Sequence, residues 1–165
     1  MRDRVTVDSI AFARDGREID GSVAVADLQR LQEGLHDQSG QIDYRLAGSM
    51  DKDGMASLRL RIEADLTLTC QRCLGPVKFH LESARRFELV PKGQALDDPA
   101  DEPEDVEQIH ADAALDVALL VEDEAILALP IAAMHEAEAC AAPAATESGN
   151  EALSPFSALG ALKRQ

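Results

Sequence analysis

Aromatic residues are scarce in this sequence, which has no tryptophan, one tyrosine and four phenylalanines among 165 residues. Most single-stranded nucleic-acid binders stack bases on aromatic side chains, so this scarcity argues against that mode of binding. Basic residues are also in the minority, with 16 Lys and Arg against 31 Asp and Glu and a formal charge of −15. A chain of this charge repels phosphate backbones on average and suits a basic protein partner better than free nucleic acid.

Long apolar runs and catalytic motifs are absent as well. No stretch approaches the roughly 18 apolar residues of a membrane-spanning helix, and residues 1–16 lack the apolar core of a signal peptide. We therefore expect a cytoplasmic protein without membrane contact, whose three cysteines stay reduced. The sequence shows no glycine-rich phosphate loop, no HExxH and no Ser/His/Asp order, and nothing in it argues for an enzyme.

The charges are unevenly distributed along the chain. Residues 93–162 contain 16 Asp and Glu and no Lys or Arg, whereas residues 51–92 have a net charge of +2. The central segment can therefore touch RNA, although a solvated strand face is the more common reason for such a pattern. The acidic stretch at about 93–105 is also punctuated by proline, which predicts a disordered loop.

Alternating hydrophobicity predicts an antiparallel sheet in the centre of the chain. Between residues 58 and 70, apolar side chains occupy every even position and polar ones every odd position, which is typical of a half-buried strand. Similar runs at 41–50 and 77–90 complete a meander. Shorter strands are predicted within residues 4–12 and at about 106–110.

Apolar residues at helical spacing predict two helices, at about 23–34 and at about 117–128. Asp116 is a plausible N-cap for the second helix, and Pro130 would end it. The acidic run at 122–124 within that helix could be read as catalytic carboxylates. Such a run is far more often the solvent-exposed face of a helix, and we predict that role here.

Together these elements predict an α+β fold, with an antiparallel β-meander packed against two or three helices. The predicted domain covers residues 1–140, and residues 141–165 form a flexible linker followed by the terminal motif PFSALGALKR. This tail either docks back on the domain or presents a short helix to a partner, and the length of the linker favours the second. The residues of the motif that would make contact are Pro155, Phe156, Leu159, Leu162 and Lys163.

The cysteine pair Cys70 and Cys73 has three readings. A redox CxxC normally places its first cysteine at a helix N-terminus, and no helix is predicted here. A CxxC in a turn between strands is typical of half a zinc site, and His135 and Cys140 could complete a structural Cys3His site. The long gap between Cys73 and His135 is unusual for a zinc finger, so Cys70 could instead be a buried core residue.

Four ordered stretches carry a resemblance to a known family. They are CQRCLGPV at 70–77, LVEDEAILALP at 120–130, MHEAEAC at 134–140 and SPFSALGALKRQ at 154–165. In this order they resemble the YceD family, the bacterial large ribosomal RNA subunit accumulation proteins. The resemblance implies a non-enzymatic role in the synthesis, processing or stability of 23S rRNA, and hence in large-subunit assembly.

The resemblance also bears on the site residues and partners. The family pattern includes CxRC and, in proteobacterial relatives, a later H-x4-C, which supports one structural zinc ion at Cys70, Cys73, His135 and Cys140. The implied partner is a ribosomal protein or a pre-large-subunit particle. Either the acidic region and the tail hold a basic ribosomal protein, which the net charge favours, or basic residues contact 23S rRNA directly. Those basic residues are Arg59, Arg61, Arg72, Lys78, Arg85 and Arg86. An rRNA-processing nuclease or a redox protein is a remote alternative.

Overall fold

The computed structural model describes residues 5–98, 106–136 and 139–140. It confirms the predicted α+β class, with a five-stranded sheet, a second sheet of two short strands, and two α-helices. In chain order the elements are β1 (Thr6–Val7), α1 (Ser9–Arg14), β2 (Glu18–Ala24), β3 (Gln41–Met50), β4 (Ala56–Thr69), β5 (Pro76–Val90), β6 (Val106–His110), β7 (Leu115–Asp116) and α2 (Val117–Ala128).

The five-stranded sheet has the order β2-β3-β4-β5-β6. The strands from β2 to β5 pair antiparallel with their neighbours, and β6 pairs parallel with β5. This confirms the predicted meander and adds β2 and β6 at its edges. The turn from β3 to β4 depends on Asp51, whose carboxylate accepts the backbone N–H groups of Asp53 and Met55, and on Gly54, whose φ is +84°.

The sheet has one buried face and one exposed face, as the period-two pattern predicts. Even positions of β4 are buried, and most odd positions are exposed. Helices α1 and α2 pack against the buried side, which is the inner face. The approach of α1 is close, since a Cβ placed on Gly48 would lie 2.5 Å from the carbonyl oxygen of Phe12. We call the exposed side the outer face.

The predicted helix at 23–34 is wrong. The chain there finishes β2 and then makes two 3-10 turns, Val25–Asp27 and Leu31–Gly34. Leu28 and Leu31, two of the apolar residues that suggested a helix, are buried, but the chain up to Ala24 pairs with β3 as part of β2. The second turn is also held from outside, because Glu122 of α2 accepts the backbone N–H of Arg30 at 2.8 Å. Tertiary contacts therefore override the local helical pattern.

The predicted strand within residues 4–12 is only partly correct, because just Thr6 and Val7 are extended and pair with β7. The following residues form α1. The reason is the N-cap at Asp8, whose carboxylate accepts the backbone N–H of Ala11 at 2.9 Å.

Helix α2 and its cap are confirmed, since the Asp116 carboxylate accepts the backbone N–H groups of Ala118 and Leu119. The prediction that residues 122–124 are all exposed is wrong for two of the three. Glu122 and Glu124 are buried, with 7% and 2% of their surface exposed. Burial is possible because each meets an arginine from another part of the chain, Arg30 in one case and Arg85 in the other.

Among the described residues, no helix is long and apolar enough to cross a membrane. The predicted division at residue 140, and residues 99–105 of the acidic loop predicted to be disordered at about 93–105, fall at or within segments outside the described residues. Both stay predictions. The short strand predicted near 106–110 is confirmed as β6.

Candidate metal centre

Three cysteines and one histidine that are far apart in sequence meet at the end of the β4–β5 hairpin. Cys70 and Cys73 lie in the turn that joins the two strands, and His135 and Cys140 lie in the segment after α2. One ligand atom from each residue lies within 4.8 Å of all the others. The structure thus brings together the whole set that the sequence suggested, across the long gap that made the spacing unusual.

Two of the distances between ligand atoms in this cluster match those of a tetrahedral zinc site. With Zn–S near 2.3 Å and Zn–N near 2.0 Å, two sulfurs should lie about 3.8 Å apart and a sulfur and a nitrogen about 3.5 Å apart. The Sγ atoms of Cys70 and Cys140 are 3.8 Å apart. The Sγ of Cys73 and the Nδ1 of His135 are 3.5 Å apart. All three cysteines are free thiols.

The turn has the backbone form that a converging cysteine pair needs. The N–H of Cys70 donates to the carbonyl of Gly75 at 2.9 Å, and the N–H of Leu74 donates to the carbonyl of Cys70 at 2.9 Å. Leu74 has a φ of 62°, a left-handed conformation that costs a non-glycine residue about 1–2 kcal/mol. A leucine that is 71% exposed has no packing reason to adopt it, so the shape of the turn requires it.

The segment after α2 is tied to this turn by hydrogen bonds outside the four candidate ligands. The N–H of Gln71 donates to the carbonyl of Ala133 at 2.8 Å. The Nε2 of His135 lies 2.8 Å from the carbonyl of Pro76. Because a carbonyl can only accept, Nε2 must carry the proton, which leaves the lone pair of Nδ1 directed at the sulfurs. A histidine that binds a metal through one ring nitrogen is usually oriented by such a hydrogen bond from its other ring nitrogen.

The electrostatics of the cluster favour the thiolate form of two of the three cysteines, Cys70 and Cys140. Backbone N–H groups, first that of Cys73 and then those of His135 and Arg72, lower the pKa of Cys70 from its usual 9.0 to about 5. Arg72 lowers the pKa of the Cys140 thiol, and Cys140 in turn raises the pKa of Arg72 and of His135. The pKa of Cys73 is raised, although a backbone N–H donates to it, because the other two sulfurs lie close. Adjacent thiolates of this kind are what a cation would stabilise.

The chemistry open to this cluster is structural. Four protein ligands fill a tetrahedral ion and leave no open position for water or substrate, unlike the three-ligand sites of zinc enzymes. Three sulfurs and one imidazole also select zinc over magnesium or calcium, which prefer oxygen. The residues present fit one structural zinc ion.

The six basic residues predicted to contact RNA or a partner do not form a single surface. Arg59, Arg61 and Arg86 point to the outer face of the sheet, and Lys78 lies on the same face with its Nζ 2.8 Å from the hydroxyl of Thr67. The two others lie elsewhere. Arg72 lies beside the cysteines, and Arg85 points inward to Glu124.

Sequence reasoning missed one member of the outer-face group, Arg45 of β3, which lies directly opposite Arg61. The available signal was its odd position in the alternating run at 41–50, which predicts the same exposed face. The tail residues Pro155, Phe156, Leu159, Leu162 and Lys163 lie outside the described residues, so their predicted contact role stays a prediction.

Comparison with known proteins links this arrangement to a family. The family profile described as "Large ribosomal RNA subunit accumulation protein YceD" matches residues 58–163, a span that includes all four residues of the cluster. A curated protein of the same description from Haemophilus influenzae is 31% identical over 136 residues. That alignment covers 82% of this chain and 78% of the relative. No solved structure matches the chain.

Proposed function

The chain belongs to the YceD family of large ribosomal RNA subunit accumulation proteins, and from this premise we propose that it is a non-enzymatic ribosome-biogenesis factor. It supports the synthesis, processing or stability of 23S rRNA by acting on the pre-large-subunit particle in the cytoplasm. The observation that carries this proposal is the match over residues 58–163, which spans the central hairpin and the metal cluster.

A non-enzymatic role is supported by how the buried polar groups are used. Glu122 and Glu124 are the buried carboxylates of the described residues, and both are engaged. Glu122 accepts hydrogen bonds from the backbone and guanidinium of Arg30, and Glu124 accepts one from the hydroxyl of Ser83. Carboxylates held in this way stabilise packing and are poorly placed for acid–base catalysis.

One structural zinc ion is part of the proposal. Cys70, Cys73, His135 and Cys140 would hold it, and it would join the β4–β5 turn to the segment after α2. A structural zinc contributes its binding free energy to folding. In this role the metal would fix the position of the β4–β5 hairpin relative to the segment after α2.

A second candidate function is a chaperone for a basic ribosomal protein. It is favoured by a row of directly opposed carboxylates on the outer face, formed by Asp43, Glu63 and Glu82. Opposed like charges destabilise a sheet unless a partner neutralises them. The 16 acidic residues within 93–162 add to this negative field. In this mode the factor would act on large-subunit assembly without touching rRNA.

The test is a deletion of the gene in its own host, with measurement of the ratio of 23S to 16S rRNA and of large-subunit particles in sucrose gradients. We expect a lowered ratio and fewer large subunits, both restored by the wild-type gene. An unchanged ratio in the deletion strain would refute the proposal. Incubation of the purified protein with 23S precursor checks the enzymatic alternative, and cleavage that disappears in Cys70→Ser would favour it.

A further inference from the structure

Four arginines from three neighbouring strands meet at one end of the outer face. They line a shallow, open depression of about 610 Å³, together with residues of the β3–β4 turn. We call this group the arginine depression, and its arginines are Arg45, Arg59, Arg61 and Arg86. In a protein of net charge −15, such a concentration of positive charge needs an explanation.

The strand register places these arginines against one another. Arg45 is the direct cross-strand neighbour of Arg61, and Arg59 is the direct neighbour of Arg86. Like charges in directly opposite positions destabilise an antiparallel pair. Two such pairs side by side are unfavourable for folding, which points to a ligand of opposite charge.

The outer two arginines of the group are held by the protein itself. The Nε of Arg45 lies 2.7 Å from the carboxylate of Glu18, and a terminal nitrogen of Arg86 lies 3.2 Å from that of Glu88. The central two, Arg59 and Arg61, are exposed and have no carboxylate within 4.0 Å among the residues that the structure describes. Two guanidinium groups in the middle of the depression are thus available, with neighbours already positioned.

We propose that the arginine depression binds the phosphodiester backbone of folded large-subunit rRNA, an inference that rests on the function proposed above. Guanidinium groups bind phosphate through paired N–H donors. Arg59 and Arg61 are two residues apart on β4, which sets them about 6.8 Å apart along the strand. This separation is similar to that of neighbouring phosphates on one RNA strand.

Backbone contact is favoured over base reading because, within the described part of the chain, the outer face presents no aromatic side chain on which a base could stack. The four described aromatic residues, Phe12, Tyr44, Phe79 and Phe87, are on α1 or at positions whose side chains point to the inner face. RNA bound without stacking is recognised through its shape and phosphates. The depression therefore suits a structured region of rRNA more than a single strand.

The rest of the outer face limits where RNA can lie. The next cross-strand row toward the metal cluster holds Asp43, Glu63 and Glu82, which repel phosphate. This boundary confines contact to the arginine end of the sheet. The expected footprint is small, so the affinity should be modest, and its salt slope should correspond to only a few phosphate contacts.

Binding is tested with the full-length protein and a short, fluorescently labelled RNA duplex, by anisotropy over a series of salt concentrations. The variant is Arg59→Ala/Arg61→Ala, whose exposed side chains can be removed without loss of core. We expect its affinity to fall at least about tenfold and its salt slope to shrink by about 2. The control Arg14→Ala/Lys92→Ala removes the same charge from exposed sites outside the depression. It should bind as the wild type does.

Three results would overturn the proposal. The first is a wild-type protein that does not bind the duplex, and the second is equal weakening in the variant and its control. The third is binding of an acidic polypeptide, such as polyglutamate, in preference to RNA, which would make the depression a protein-binding surface. The melting temperature of each variant is measured to show that the variant is folded, so that weaker binding cannot be due to unfolding.

The same variant in the deletion strain separates this proposal from the function on which it rests. If the wild-type gene restores 23S rRNA and the Arg59→Ala/Arg61→Ala gene does not, both stand. If both genes restore it equally, the arginine depression is refuted as the rRNA contact while the assembly role remains. If deletion leaves 23S rRNA unchanged, the assembly role fails, whatever the duplex measurement shows.

Discussion

Arg85 and Arg86 are adjacent in the sequence and have opposite surroundings in the structure. Arg85 is on the inner face, where its Nε lies 3.5 Å from a carboxylate oxygen of the buried Glu124. Arg86 is on the outer face, directly opposite Arg59 in a depression open to solvent. The inner face places its charges in complementary contact, and the outer face groups four arginines of which only Arg45 and Arg86 contact a carboxylate of the described residues.

The same residue type therefore contributes to stability on one face of this sheet and, in the proposed function, to recognition on the other. Because side chains alternate along a strand, a shift of register by one residue would exchange Arg85 and Arg86 between faces. The arrangement therefore depends on whatever holds the register of β4 against β5. A metal ion held by Cys70, Cys73, His135 and Cys140 at the turn between these strands would do so.

The largest effect should come from breaking this register. Removal of zinc by a chelator, or the change Cys70→Ser/Cys73→Ser, should lower the stability by at least about 3 kcal/mol, or roughly 10 °C in melting temperature. The cause is the lost binding free energy and the release of the segment after α2. Elemental analysis should find about one zinc per wild-type chain, and calorimetry should show the shift.

A matched control for this experiment is Gln71→Ala, which changes an exposed side chain of the same turn and keeps all four candidate ligands. It should retain both the zinc and the melting temperature. A protein purified without zinc whose stability does not respond to chelator would contradict the metal centre and leave Cys70 as a core residue.

An intermediate effect should follow from breaking the inner-face pair. Glu124→Ala removes the carboxylate that meets Arg85 and Ser83, in a site where only 1% of the Glu124 side chain is exposed. We expect a loss of about 2–3 kcal/mol, less than for a fully buried pair because the Arg85 side chain keeps 27% of its exposure. Urea unfolding measures this free energy.

The outer-face comparison for that change is Glu63→Ala, an exposed carboxylate opposite Asp43 and Glu82. It should leave the stability within about 0.5 kcal/mol of the wild type. Equal losses of stability in Glu124→Ala and Glu63→Ala would mean that carboxylates on the inner face stabilise the protein no more than those on the outer face.

The smallest change in stability is expected for Arg59→Gln, and here the direction of the change is the informative result. This change relieves the opposition between Arg59 and Arg86, so the protein should become slightly more stable, by about 0.2–0.5 kcal/mol. The same change should weaken binding to an RNA duplex. Stability measured at low and high salt checks the cause, because screening should abolish the gain. A loss of stability in Arg59→Gln would show that the arginine is a structural contact.

Much of the sheet was predictable because its signal is local. The strict alternation in β4 predicts both the strand and its buried side, and Asp116 and Pro130 bound α2 as their chemistry predicts. The helix predicted at 23–34 was wrong because its apolar spacing is also satisfied by the end of an edge strand and two 3-10 turns. The deciding contact is the Glu122 carboxylate on the backbone of Arg30, 92 residues away in sequence.

The candidate site was predictable in its membership and not in its geometry. The CxxC turn and the later histidine and cysteine could be chosen from residue types and from the family resemblance. Their convergence to within 4.8 Å could not, since it depends on the path of the chain through β6 and α2. The burial of Glu122 and Glu124 was missed for the same reason, because an acidic run on a helix carries no local sign of distant arginines.

Local signals in the sequence were thus enough for the α+β class, the central meander, the α2 boundaries and the residues able to hold zinc, because periodicity, capping and ligand chemistry act over a few neighbouring positions. The fold was needed to show that Arg85 contacts a buried carboxylate while Arg86 lies in an open depression, which carboxylates form ion pairs, and that Arg45 joins three other arginines. These outcomes depend on strand register and on contacts between distant segments.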